Sequence, residues 1–111
     1  MSTLPLEITF RNIEPSEALA ARIRSLAAKL GRFSARIIQF HVVVEAPHHR
    51  HHHHGGLFDF KIDIQLPGKE ISIGHVHTRD PAHANAYVAL RDAFRAARRQ
   101  LQQYETQHRQ D

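Results

Sequence analysis

Alternation of apolar and polar side chains at every second position constrains the fold of this chain more than any other feature. The alternation covers residues 6–11, 38–45 and 58–65. A period of two places the apolar side chains on one face and is typical of a half-buried strand. Ile71 and Ile73 begin a fourth strand that we expect to reach about Thr78. Because Pro67-Gly68 is a turn signal and the other links are short, strands two to four are predicted to form an antiparallel meander.

Two further segments space their apolar residues by three and four positions, which is typical of helices with one buried stripe. The first stripe is Leu19, Ile23, Leu26, Leu30 and Phe33, and the second is Tyr87, Leu90, Phe94, Ala97, Leu101 and Tyr104. Glu14 or Ser16 could cap the first helix, and Asp80-Pro81 marks the break before the second. The predicted order is β-α-β-β-β-α, an α+β fold. Because one sheet face carries the large apolar residues, we expect a four-stranded sheet with both helices packed on that face.

The 111 residues suit a single domain spanning 1–111. We expect its core to cover about 6–104, with a flexible histidine-rich loop at 47–56 and a frayed tail at 105–111. The absence of cysteine excludes disulfides and thiolate metal sites. No apolar run approaches the roughly 18 residues of a membrane span, and no secretory signal is visible. A soluble cytoplasmic protein without a membrane partner is therefore expected.

Positive charge is concentrated on the two predicted helices. The chain has 15 Lys and Arg against 11 Asp and Glu, and most of these cations are arginine, the better side chain for bidentate phosphate contacts. Arg91, Arg95 and Arg99 repeat at four-residue steps, and each such pair costs roughly 0.2–0.5 kcal/mol in an isolated helix. We expect Asp92 to offset part of this cost by pairing with Arg95. A surface that tolerates this repulsion indicates a polyanionic partner. The candidate RNA-binding residues are Arg22, Lys29, Arg32, Arg36, Arg91, Arg95, Arg98 and Arg99.

Segments at both ends of the chain resemble a known family. Residues 85–94, followed by Arg99-Gln100-Leu101, resemble the second helix of the ribosome hibernation promoting factors, also called ribosome-associated inhibitors or sigma-54 modulation proteins. Residues 8–12 and 16–19 are similar to that family's first strand and helix start. The resemblance covers about residues 6–104.

The resemblance implies a fold similar to a double-stranded-RNA-binding domain and a function without catalysis. Such a protein binds the small ribosomal subunit in the mRNA/tRNA channel, contacts rRNA through basic helix residues and blocks translation in stress or stationary phase. It needs no cofactor and no small-molecule substrate. The match carries over best to Arg99, whereas Ala96 and Gln103 replace lysines that are frequent in the family. Because the chain ends soon after the second helix, it looks like a short form without a C-terminal dimerisation domain.

The histidine-rich loop supports alternative hypotheses. Six of the seven residues from His48 to His54 are histidine, and clustered imidazoles can bind zinc, nickel or copper. A structural metal site normally takes its ligands from separate rigid elements, so we predict no metal site. The weak candidates are His51, His52, His53 and His54. Histidine ordinarily titrates near pH 6.5, so the loop could instead gain charge as the pH falls and reach toward RNA. A plain flexible loop is the third interpretation.

The residues also bear on two other functions. A protein-interaction modulator of transcription could use the exposed sheet face around Gln39, His41 and Val43. An enzyme is not expected, because no serine or carboxylate is spaced to form a triad with a histidine and no glycine-rich phosphate loop is present. Asp59 and Asp63 share a strand face but are expected to be exposed, so they do not form a catalytic carboxylate pair.

Overall fold

The computed structural model describes residues 5–45, 59–74 and 86–108. These residues form six elements in the predicted order. The elements are β1 (Leu6–Arg11), α1 (Glu17–Phe33), β2 (Gln39–Glu45), β3 (Asp59–Leu66), β4 (Lys69–Ile73) and α2 (Ala86–His108). Phe58, the histidine-rich loop at 47–56 and the predicted continuation of the fourth strand to Thr78 lie outside the described residues.

The four strands form one sheet in the order β1-β2-β3-β4. Strands β2, β3 and β4 pair antiparallel, which confirms the meander. β1 pairs with β2 in parallel, with Ile8 opposite Val42. A parallel pair needs a long crossover, and α1 supplies it. The turn between β3 and β4 contains Pro67 and Gly68, and Gly68 has a φ of 75°, which glycine adopts without steric cost.

Helix α1 begins and ends at serine residues. Ser16 Oγ accepts a hydrogen bond from Leu19 N at 3.1 Å, so Ser16 rather than Glu14 caps the helix. At the other end, Ser34 has an extended backbone and its N–H donates to Leu30 O at 3.1 Å. This extended residue turns the chain away from the helix axis. Arg36, which the periodicity placed on the helix, therefore lies beyond it.

Helix α2 continues to His108, so the prediction of a frayed tail from residue 105 is wrong for residues 105–108. The buried Tyr104 explains the extension. Its hydroxyl donates to Pro67 O at 3.0 Å, and its ring lies 4.0 Å from the ring of His108 between centroids. These contacts tie the last turns of α2 to the sheet and to each other. Residues 109–111 lie outside the described part of the chain.

The core lies between one face of the sheet and the two helices, as predicted. Phe40 on β2 and Phe94 on α2 stack with ring centroids 6.0 Å apart. The largest fully buried side chains are Tyr104, Phe40, Phe60, Ile23, Ile62, Ile64, Ile71, Leu90, Leu101, Val42 and Val44. Ala20, Ala27, Ala89, Ala93 and Ala97 are also buried, and their small side chains let the helices approach the sheet.

Residues at the ends of the apolar patterns depart from the predicted core. Ile38 precedes β2 and is 52% exposed, and Phe33 and Tyr87 are 37% and 48% exposed. Conversely, Val43 points to the outer sheet face and is still only 5% exposed. It lies between Thr9 and Lys61 in the paired strands, whose side chains stand beside it. Val43, which the protein-interaction hypothesis placed on an exposed sheet face, is therefore covered by its neighbours.

Candidate nucleic-acid interface

A solvent-open groove runs between α1 and α2, and we call it the interhelical groove. It consists of two adjoining depressions of about 200 and 260 Å³, which share Lys29, Leu30 and Arg98. Leu30 and Phe94 are buried, and they form its apolar base together with the half-buried Leu26. Its cationic wall residues are Lys29, Arg32, Arg91, Arg95 and Arg98. Two amphipathic helices laid side by side on one sheet thus bring their basic flanks together.

Five of the eight predicted RNA-binding residues line this groove, and all eight side chains are exposed. Arg22 lies seven residues before Lys29 and so follows the same side of α1. Arg99 follows Arg95 by four residues and continues the basic surface onto the outer side of α2. The structure does not test which of these residues touch RNA, so their binding role stays a prediction.

Arg36 differs from the other seven because a largely buried acid from the far end of α2, Glu105, holds its side chain. Its Nη1 donates to Glu105 Oε1 at 2.7 Å, and Glu105 is only 17% exposed. Ser34 Oγ donates to the other oxygen of the same carboxylate. A guanidinium engaged in this way has fewer donors left for a phosphate. Of the eight predicted RNA-binding residues, Arg36 therefore has the surroundings least suited to RNA contact.

The five cations that line the groove are mostly free of internal acids. Asp92 pairs with Arg91 at 3.4 Å rather than with Arg95, which corrects the expected pairing. Among the described residues, no carboxylate pairs with Lys29, Arg32, Arg95 or Arg98. Positive charge that the protein does not neutralise itself leaves the groove suited to an anionic ligand.

The opposite face of the sheet has a different charge pattern. Arg11 lies 4.0 Å from Glu45, and Lys61 lies 4.0 Å from Asp63, so cations there have acidic neighbours. Asp63 also accepts a hydrogen bond from Ser72 Oγ at 2.8 Å. The two faces of the molecule therefore differ in free positive charge, and only the helix side offers an uncompensated cationic surface within residues 5–45, 59–74 and 86–108.

Phe33 is a groove residue that the sequence assigned to the core. It is the last residue of α1, and the guanidinium carbon of Arg98 lies 5.7 Å from its ring centroid. A cation at this distance from an aromatic face is attracted by the ring quadrupole. The helical spacing indicates this groove position, because Phe33 lies on the edge of the apolar stripe nearest the basic flank of α1. Its proximity to Arg98 was not visible in the spacing, because it depends on the packing of α2 beside α1.

The metal hypothesis has no support within the described residues. They contain no group of three or more histidine, cysteine or acidic residues that could hold a metal ion. His41 Nε2 lies 2.9 Å from Thr9 Oγ1 on the outer sheet face. The weak candidates His51 to His54 lie outside the described residues, so their role remains untested. Neither helix, over the residues described, has the length and apolar character that a membrane span requires.

Comparison with known proteins gives a family match and a shared fold. The family model described as "Sigma 54 modulation protein / S30EA ribosomal protein" matches residues 6–109. The structure is similar to the N-terminal domain of Protein Y from Thermus thermophilus, with a TM-score of 0.66 and 19% identity over 88% of this chain and 94% of that one.

It is also similar to a ribosomal subunit interface protein from Coxiella burnetii, with a TM-score of 0.64 and 17% identity over 91% of this chain and 97% of that one. At these identities the likeness shows the fold alone. No curated protein sequence matches the chain.

Proposed function

The chain belongs to the sigma-54 modulation protein / S30EA ribosomal protein family, and we propose that it is a hibernation factor that binds the small ribosomal subunit in the mRNA/tRNA channel and blocks translation. The family makes the ribosome its partner. The single observation that carries the finer proposal is the interhelical groove, where five cationic side chains from two helices converge on one surface. The name of one similar structure, the ribosomal subunit interface protein from Coxiella burnetii, supports the same partner.

The proposed mechanism is occlusion. A folded domain held in the channel excludes messenger and transfer RNA without making or breaking a bond. Affinity would come mainly from neutralising rRNA phosphates, and this contribution weakens as salt rises. Arginine suits this role because its planar guanidinium can donate two parallel hydrogen bonds to one phosphate. Stress and stationary phase are the proposed conditions, because an inhibitor of this kind is useful when translation must pause.

Sedimentation tests the proposal. Purified ribosomes and separated small subunits are centrifuged with the protein at rising salt, and bound protein is quantified in each fraction. We expect co-sedimentation with small subunits and whole ribosomes, with a fraction bound that falls as salt increases. Replacing Arg95, Arg98 and Arg99 together by glutamine should abolish most of the binding. An in vitro translation reaction should show a parallel loss of inhibition.

The matched control removes three positive charges from the strands, outside the interhelical groove. A variant with Arg11, Lys61 and Lys69 replaced by glutamine has the same net charge as the first variant but keeps both helix flanks intact. We expect it to bind ribosomes nearly as well as the unchanged protein. Circular dichroism and urea unfolding establish that both variants fold. Equal loss of binding in the two variants would show that net charge, and not the helix surface, carries the interaction.

A further inference from the structure

We propose that Phe33 and Arg98 form a stacking platform for an unpaired nucleobase of the bound RNA. This inference rests on the proposed function and deepens it, because it names the chemical class of ligand that one end of the interhelical groove accepts. The platform lies where the last residue of α1 meets the fourth turn of α2. The ligand is a single-stranded, bulged or looped RNA segment whose base is not buried in a duplex.

The exposure of Phe33 is the first observation. Phenylalanine is usually among the more buried residue types, yet this ring is 37% exposed while the nearby Leu30 is 5% exposed. The ring lines the same depression as Lys29, Arg32 and Arg98. An exposed aromatic ring surrounded by cations combines an apolar surface with positive charge. A nucleotide has the complementary parts, a flat base and a phosphate.

The position of Arg98 is the second observation. Its guanidinium carbon lies 5.7 Å from the Phe33 ring centroid, and the side chain is exposed to solvent. No carboxylate among the described residues pairs with it. RNA-binding proteins stack unpaired bases on aromatic rings and on guanidinium planes. Phe33 and Arg98 supply both surfaces at one place, so a base can extend the stack outward.

The surrounding charges select RNA with an accessible base. Lys29 and Arg32 stand in the same depression and can neutralise the phosphate that adjoins a stacked base. In an A-form duplex the bases are stacked on each other, so a duplex presents mainly phosphates and 2′-hydroxyls to such a site. A platform built only for duplex phosphates would gain nothing from an exposed phenylalanine. The aromatic ring therefore favours an unpaired base over a duplex.

The test separates stacking from charge by variants that keep the net charge. Phe33→Leu removes the ring and retains apolar bulk, and Arg98→Lys retains the cation and removes the plane. Binding to purified ribosomes is measured by sedimentation at several salt concentrations. Each variant should bind about 5- to 30-fold more weakly than the unchanged protein, the loss expected for one stacked base. The dependence of log affinity on log salt should keep its slope, because no phosphate contact is removed.

Two further variants give the matched controls. Arg95→Lys makes the same chemical change on the same helix away from Phe33, and it should lose clearly less affinity than Arg98→Lys, because lysine keeps the charge and no aromatic ring stands beside residue 95. Phe33→Tyr keeps an aromatic ring and should retain clearly more binding than Phe33→Leu. The double variant Phe33→Leu, Arg98→Lys should lose less than the product of the two single losses, because the two side chains act on one base. Urea unfolding of each variant excludes loss of fold as the cause.

The outcomes distinguish the inference from the function on which it rests. If the unchanged protein does not bind ribosomes, the proposed function fails. If it binds and Phe33→Leu or Arg98→Lys binds equally well, the function stands and the stacking platform is wrong. A loss in Arg98→Lys that Arg95→Lys reproduces would assign the effect to arginine–phosphate geometry and would likewise overturn the platform.

Discussion

Arg36 Nη1 donates a hydrogen bond to Glu105 Oε1 at 2.7 Å, across 69 residues of sequence. The pair joins the segment after α1 to the last turn of α2. Ser34, which is 4% exposed, donates its hydroxyl to the same carboxylate. Glu105 therefore fixes the C-terminal ends of the two helices relative to each other, and with them the width of the interhelical groove at that end.

Removing Glu105 should cost more stability than removing Arg36. Glu105→Ala leaves the buried Ser34 hydroxyl without this acceptor, and we expect a loss of roughly 1–2 kcal/mol in the free energy of unfolding. Arg36→Ala breaks only a partly exposed ion pair and should cost roughly 0.2–1 kcal/mol. Urea unfolding of both variants measures the difference. Equal losses would mean that the Ser34 contact contributes little.

Arg36 and Arg95 should differ in ribosome binding although both were predicted from sequence to contact RNA. Arg36→Gln removes a guanidinium that Glu105 already engages, whereas Arg95→Gln removes one that no described acid engages. We expect the Arg95 variant to bind several-fold more weakly than the Arg36 variant in the same sedimentation assay. An Arg36 variant with the greater loss would show that the ion pair opens when RNA binds.

The salt dependence of binding should report the number of phosphates that the groove neutralises. Each phosphate contact contributes roughly 0.7–0.9 to the slope of log affinity against log salt. Replacing Lys29 and Arg95 together by glutamine should therefore lower the slope by about 1.4 to 1.8. The control variant, with Lys61 and Lys69 replaced by glutamine, should leave the slope unchanged. A control with the same reduction would place the phosphate contacts outside the groove.

Because like charges flank Arg95 on α2, its replacement should stabilise the fold while it weakens ribosome binding. Arg95 has Arg91 and Arg99 four residues to either side. Arg95→Gln relieves both repulsions and should raise the free energy of unfolding by roughly 0.5 kcal/mol while it weakens ribosome binding. Arg24→Gln is the matched control, because Arg24 lies 3.4 Å from Glu17 and loses an attraction instead. A destabilised Arg95 variant would contradict the repulsion argument.

Tyr104 should stabilise the domain without taking part in binding. Its ring is 2% exposed, and its hydroxyl donates to Pro67 O at 3.0 Å. Tyr104→Phe removes this bond and should lower the free energy of unfolding by about 1 kcal/mol, because Pro67 is exposed and water can solvate the freed carbonyl. Thermal or urea unfolding measures the loss. Ribosome binding at a temperature where both proteins are folded should be unchanged.

The periodicity predicted most of the fold because it reports burial directly. Leu19, Ile23 and Leu30 follow the helical period, and Phe60, Ile62 and Ile64 follow the strand period, and all six are buried. The errors occur at the ends of the patterns. Ile38 and Phe33 continue a period, but the chain turns at Ser34 and the strand begins only at Gln39, so neither side chain reaches the core.

The candidate site was predictable in composition but not in arrangement. Lys29, Arg95 and Arg98 are exposed on helix flanks, as the spacing indicated. Their convergence on one groove depends on the packing of α1 beside α2, which no local pattern encodes. The same packing brings Glu105 to Arg36 and Arg98 to Phe33. Local spacing identifies which residues face solvent, and tertiary contact decides which of these side chains remain available to a ligand.

The sequence by itself determined the order of the six elements, the apolar face of each and the placement of positive charge on the helices, because these properties depend on residues three or four positions apart or fewer. Only the tertiary structure decided that the basic flanks share a groove, that Glu105 engages Arg36 and that Phe33 lies beneath Arg98. Those relationships join residues about 65 to 70 positions apart in the chain. These relationships are fixed by the packing of both helices on one sheet face. That packing follows from burial of the whole core rather than from any one segment.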